Sequence, residues 1–76
     1  MTYTISKTHT LDGVEVRPGL RVWDYNLRRA IVVALQPYQN PAEGDWWDMQ
    51  DVDGNPSSMM NCSRMWVRHP STGERA

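Results

Sequence analysis

Four groups of residues in this 76-residue chain have types that could do chemistry. Asp51-Val52-Asp53-Gly54-Asn55 puts oxygen ligands at the first, third and fifth positions of a calcium loop. Such a loop also needs Gly at its sixth position for the sharp bend and a bidentate Glu at its twelfth, and Pro56 and Cys62 stand there instead. The stretch therefore reads as a hairpin turn, for which Asp-Gly is a strong signal. His9, Cys62 and His69 match no transition-metal spacing, so neither a metal nor a cofactor is expected. As a nucleophile Cys62 would need a base and an orienting acid. His69 lies seven residues on, with a strand between, and the thiol reads as a small apolar group packed beneath the last strand. Asp45 and Asp48 are an odd number of residues apart, which puts them on opposite faces of a strand and argues against paired acid–base work. The chain is not expected to be an enzyme.

The fourth group is aromatic and cationic. If Val22 and Trp47 face the core, Trp23 and Trp46 have the opposite parity and emerge on the outer surface near Tyr25. Exposed aromatics beside an Arg make a binding surface, here Trp23, Tyr25, Arg28 and Trp46. In the competing reading Trp23 or Trp46 is covered by Tyr3, Ile5 or Tyr38. Arg17, Arg21, Arg28 and Arg29 flank the same turn and could form a strip for single-stranded nucleic acid.

The elements that must position these groups centre on residues 21 to 35. Arg21-Val22-Trp23 has strand composition, Asp24 to Leu27 has turn chemistry, and Arg29 to Leu35 is the longest apolar run, with both parities apolar so that neither face expects much water. Before it, Thr2 to Thr10 reads as a short covering strand, and Asp12-Gly13 returns the chain into Val14-Glu15-Val16. Pro18-Gly19 then breaks the strand. After it, residues 37 to 44 form a loop, and Asp45 to Val52 resumes strand character with Trp47 and Met49 inward. Val52 has the wrong parity, so either a bulge lies near Gln50 and Asp51 or Val52 packs on a second cluster. Asp53-Gly54 makes a hairpin into Ser57 to Met60, Asn61 to Arg64 suits one 3₁₀ turn, and Met65 to Arg68 is a closing strand. His69 to Ala76 is polar and expected to fray. The predicted core is Leu20, Val22, Ala30, Val32, Trp47, Met49, Met60, Met65 and Val67.

A chain this short buries only ~60% of the surface its unfolded form exposes, so its four Trp must supply much of the apolar area in the absence of Phe. No disulfide can form within a chain that has a single cysteine, which points to a reducing cytoplasm. No run approaches a membrane span and no secretory signal opens the chain. The net charge of −1 hides segregation: residues 37–56 carry five carboxylates and no base, while the flanking segments are each net basic. Complementary charge of this kind favours a protein partner over nucleic acid, with no membrane association.

The order of elements resembles the SH3-like small barrels, and within them the Tudor-like branch. The matching pieces are Pro18-Gly19-Leu20-Arg21-Val22-Trp23, Ala30-Ile31-Val32, Val52-Asp53-Gly54 and Ser63-Arg64-Met65-Trp66-Val67. The resemblance implies an all-β, five- to seven-stranded SH3-like barrel in residues 17–69, with residues 1–16 as an N-terminal cover hairpin, 1–69 as one domain and 70–76 as a flexible tail. It also implies that exposed aromatics could cage a methylated Lys or Arg through cation–π attraction. The expected function is a non-enzymatic protein-binding module, with single-stranded or non-specific nucleic-acid binding as the alternative. A small adaptor or inhibitor encoded by a phage or mobile element also fits the size, although no residue argues for it.

Overall fold

The computed structural model describes residues 6–76. Its strands are β1 (Arg21–Trp23), β2 (Arg29–Leu35), β3 (Trp46–Asp51) and β4 (Pro56–Asn61), followed by a 3₁₀ turn at Cys62–Arg64. They form one antiparallel sheet in the order β1-β2-β3-β4. Among the described residues there is no helix long and apolar enough to cross a membrane. The all-β expectation and the single 3₁₀ turn hold; the described strands form one open four-stranded sheet, and a closed barrel of five to seven strands is not shown. The closing segment adds no strand to that sheet. Only Trp66 bridges back to β1, exchanging backbone hydrogen bonds with Trp23 at 2.6 and 3.1 Å. The next two amides, of Val67 and Arg68, donate to the Asp12 carboxylate at 2.9–3.0 Å instead of extending a ladder.

Three hairpins use one five-residue turn. In each, the first residue (Thr10, Asp24 or Asp51) donates its N–H to the carbonyl of the fifth and accepts the N–H of the fourth, at 2.8–3.0 Å. Its side-chain oxygen also accepts the amide of the fifth residue, at 2.9–3.1 Å. The fourth residue has positive φ: Gly13 at 85°, Leu27 at 60° and Gly54 at 86°. Glycine takes that conformation freely, whereas Leu27 carries a steric cost of about 1–2 kcal/mol.

The core is Val16, Val22, Ala30, Val32, Trp47, Met49, Cys62, Met65 and Val67, with Leu20 and Met60 packed partly buried against it. Register explains much of this set, since Val22 faces Ala30 across β1–β2 and Val32 faces Met49 across β2–β3. The apolar run of β2 differs from expectation: Val33, the extra residue of a bulge, and Leu35, at the strand's end opposite Trp47, are both exposed. The bulges also differ. One falls between Val32 and Ala34 in β2 and another in β4 opposite Trp47–Met49, while Val52 lies exposed in the Asp51–Asn55 turn. Those bulges add a residue to each strand and turn it, which lets a short sheet curl around its core.

The N-terminal hairpin forms through the His9–Glu15 bridge around the Asp12-Gly13 turn. It is tied to the far end of the chain by Asp12 and by the Leu11 amide, which donates to the Met65 carbonyl at 3.0 Å. Tyr3 and Ile5, expected on one face of the covering strand, lie outside the described residues. The last residues, expected to fray, make backbone contacts: Arg68 bridges Arg75, the His69 amide donates to the Glu74 carbonyl at 2.8 Å, and the Ala76 amide donates to the Val67 carbonyl at 3.1 Å.

Candidate functional site

Trp23, expected on the surface, is 6% exposed and so buried. The parity reading was sound, since Val22 does point into the core, but the other side of β1 is roofed by the C-terminal segment. Trp23 Nε1 donates to the Glu74 carbonyl at 2.8 Å, the His69 ring stands edge-on to it at 4.9 Å, and the Arg29 guanidinium lies over it at 4.4 Å. Arg29 is held there by an ion pair with Glu74. Tyr38, an expected cover for Trp23 or Trp46, is among the most exposed side chains, Tyr3 and Ile5 lie outside the described residues, and the described cover of Trp23 comes from residues near the C-terminus.

The remaining aromatics do converge. Tyr25, at the tip of the β1–β2 turn and 59% exposed, and Trp46, half-buried at the start of β3, both line a groove of about 660 Å3 with Met60, Arg64, Lys7 and Glu43. Gln39 fixes Trp46 in place by accepting its amide with Oε1 at 2.9 Å and donating Nε2 to its carbonyl at 3.0 Å. The indole Nε1 donates to Glu43 Oε2 at 2.7 Å. Arg64, the last residue of the 3₁₀ turn, stands over the Tyr25 ring at 5.1 Å.

The back of the groove is rigid. Asn61 is buried; its Nδ2 donates to the Gly44 carbonyl at 2.7 Å and its Oδ1 accepts Ser63 N and Oγ at 3.0 and 2.7 Å, which caps the 3₁₀ turn that carries Arg64. Gly44 fits closely here, because a Cβ there would lie 2.7 Å from Asn61 Oδ1 and 2.8 Å from Cys62 Sγ and would force a neighbour to shift. Cys62 is fully buried, with Sγ against the carbonyls of Lys7 and Ser6 at 3.3 and 3.5 Å. Burial pushes its thiol up, and the nearby Asp45 charge adds to that. His9 bonds locally to Thr8, and His69 Nδ1 accepts the amides of Ser71 and Thr72, so neither imidazole serves Cys62. Among the described residues no cluster of three potential metal ligands forms.

Of the four arginines expected in a strip, Arg17 pairs with Glu15 at 3.5 Å and Arg29 with Glu74. Arg28 and Arg29 line a second groove together with Leu27, Val52 and Met60, and Arg21 lines a third with Arg75. Arg28 therefore sits beside the aromatic groove, joined to it through Met60, which lines both. Sequence reasoning missed Arg64, Lys7 and Met60 as groove residues. Tyr25 and Arg64 come from separate elements, and no local pattern links them. Compared with family models, curated proteins and solved structures, the chain matches none.

Proposed function

We propose that this chain is a non-enzymatic binding module of SH3-like layout that engages a protein partner through the groove of Tyr25, Trp46, Met60 and Arg64, with Arg28 at its margin. The SH3-like reading is supported by strand order, by the 3₁₀ turn after β4 and by the return of Trp66 to β1. The observation that carries the binding reading is the groove itself: an exposed Tyr and a half-buried Trp held by side-chain hydrogen bonds, the residue types that anchor interfaces, over a partly buried Met. A strained Leu27 at the same hairpin tip, where the two sister turns use Gly, places an apolar side chain in the adjoining groove that Arg28 and Met60 also line, at a conformational cost. Engagement of Cys62, His9 and His69 in local contacts fits a non-enzymatic role, and a lone buried thiol fits a reducing cytoplasm. A random peptide-display library tests the reading. The parent should enrich binders that Tyr25→Ala and Trp46→Ala lose by tenfold or more while staying folded. Enrichment indifferent to both substitutions refutes the groove. So does tight binding to a 30-nucleotide single strand that collapses with salt, which would favour the nucleic-acid reading instead.

A further inference from the structure

We infer that the groove selects an acidic peptide segment, one that sets a carboxylate on Arg64 and Lys7 and an adjacent apolar side chain against Trp46 and Met60; this rests on the groove being the binding site. The cations decide it. Among the described residues the only ion pairs are Arg17–Glu15 and Arg29–Glu74, so Lys7 and Arg64 enter the groove with no carboxylate partner. Lys7 Nζ reaches only the Pro41 carbonyl, at 3.4 Å. Glu43, the one acid lining the groove, is turned to the Trp46 indole, which donates to it at 2.7 Å. Acidic side chains arriving there meet two cations without carboxylate partners against the single charge of Glu43.

The same geometry disfavours a cationic ligand such as a methylated Lys. Cation–π recognition needs a free ring face, and the protein's own guanidinium groups already stand over Tyr25 at 5.1 Å and over Trp23 at 4.4 Å. A ligand cation would have to displace Arg64 and settle beside Lys7. Nucleic acid fits poorly as well, because two cations neutralise about two phosphates, far from the six to ten that sustain strong backbone binding. The groove volume of about 660 Å3 lies within the ~300–1,000 Å3 of ordinary ligand sites, enough for a few residues of an extended chain.

The test uses four probes on the intact protein: a blocked peptide Ser-Asp-Leu-Glu-Leu-Asp-Ser, its Asn/Gln counterpart, its Lys counterpart, and an eight-nucleotide oligo-dT, each titrated to about 1 mM and followed by the Trp46 indole and Arg64 side-chain NMR signals. The acidic peptide should move both signals and bind at least tenfold tighter than the Asn/Gln counterpart. Arg64→Glu should remove that preference. Lys7→Glu should weaken it severalfold, which keeps the test open should Arg64→Glu disturb the fold. If the neutral peptide binds the groove as well as the acidic one, the charge inference falls and the groove reading stands. If the Lys peptide or the oligonucleotide binds better, the inference is reversed. No shift with any probe overturns the inference, and the groove reading falls with it only if the display library also ignores Tyr25 and Trp46.

Discussion

Replacing Asp12 by Asn keeps side-chain size and removes the charge that ties the two ends of the fold together. Its carboxylate accepts Thr10 Oγ1 at 2.6 Å, the Val67 amide at 3.0 Å from both oxygens, and the Arg68 amide at 2.9 Å, so contacts 55 and 56 residues apart in sequence meet on one group. Burial raises the carboxyl's pKa, but the bonds from Thr10, Arg68 and Val67 outweigh it and hold Asp12 below its ordinary value. Asn retains one acceptor oxygen and turns an amino group toward amide donors. A hydrogen bond to a charged group contributes ~1.5–3 kcal/mol, and water still reaches this carboxyl, so Asp12→Asn should cost about 2 kcal/mol. For a domain of this size that is a fall in Tm of about 8–16 °C. The pH dependence has a fixed sign. A carboxyl whose folded pKa is depressed stabilises the fold above its unfolded value near ~3.9, and that stabilisation is lost as pH falls through the lower folded pKa. Thermal denaturation followed by circular dichroism should therefore show the full gap between parent and variant at neutral pH and a closing gap in strong acid. A gap under about 3 °C at pH 7, or one that stays constant into acid, would refute the strap.

Three further substitutions probe the sheet and the groove. Gly44→Ala forces a Cβ to 2.7 Å from Asn61 Oδ1 and 2.8 Å from Cys62 Sγ, and should cost ~1–3 kcal/mol in chemical denaturation; a neutral result would mean that the groove's back wall yields easily. Leu27→Gly relieves a φ of 60° but sacrifices some Leu packing and loosens the unfolded chain, so stability should stay within about 1 kcal/mol of the parent while peptide affinity drops; a large loss of stability would show that Leu27 belongs to the core. Trp23→Ala opens a buried site and should cost ~3–5 kcal/mol, whereas Trp46→Ala, at a half-buried position, should cost clearly less; equal melting curves would contradict the roof over Trp23.

Much of the sheet was legible because its signals are local. Asp12-Gly13 and Asp53-Gly54 mark two hairpins by composition, and Asp24 marks the third because its carboxylate can build the turn even where Leu27 takes the glycine position. Period-two alternation correctly sent Val22, Val32, Trp47 and Met49 inward. Parity, however, says only which side of a strand a residue faces, and what covers that side is decided by tertiary contacts. Trp23 was misplaced for this reason, since its cover comes from His69 and Glu74. The same limit hid Arg64, which meets Tyr25 only once β4 and the 3₁₀ turn are folded. Barrel closure is not shown among the described strands: the strand-like Met65–Arg68 returns to β1 through Trp66 and gives two of its amides to Asp12.

The most direct test of the groove as a protein-binding surface is site-specific photo-crosslinking inside cells of the organism that encodes the chain, with a benzophenone amino acid at Tyr25 and, as a control, at the exposed Tyr38, which does not line the groove. The groove predicts a discrete protein adduct from position 25 that Arg64→Glu diminishes, and little or none from position 38. Equal adducts from both positions, or adducts to nucleic acid alone, would contradict it.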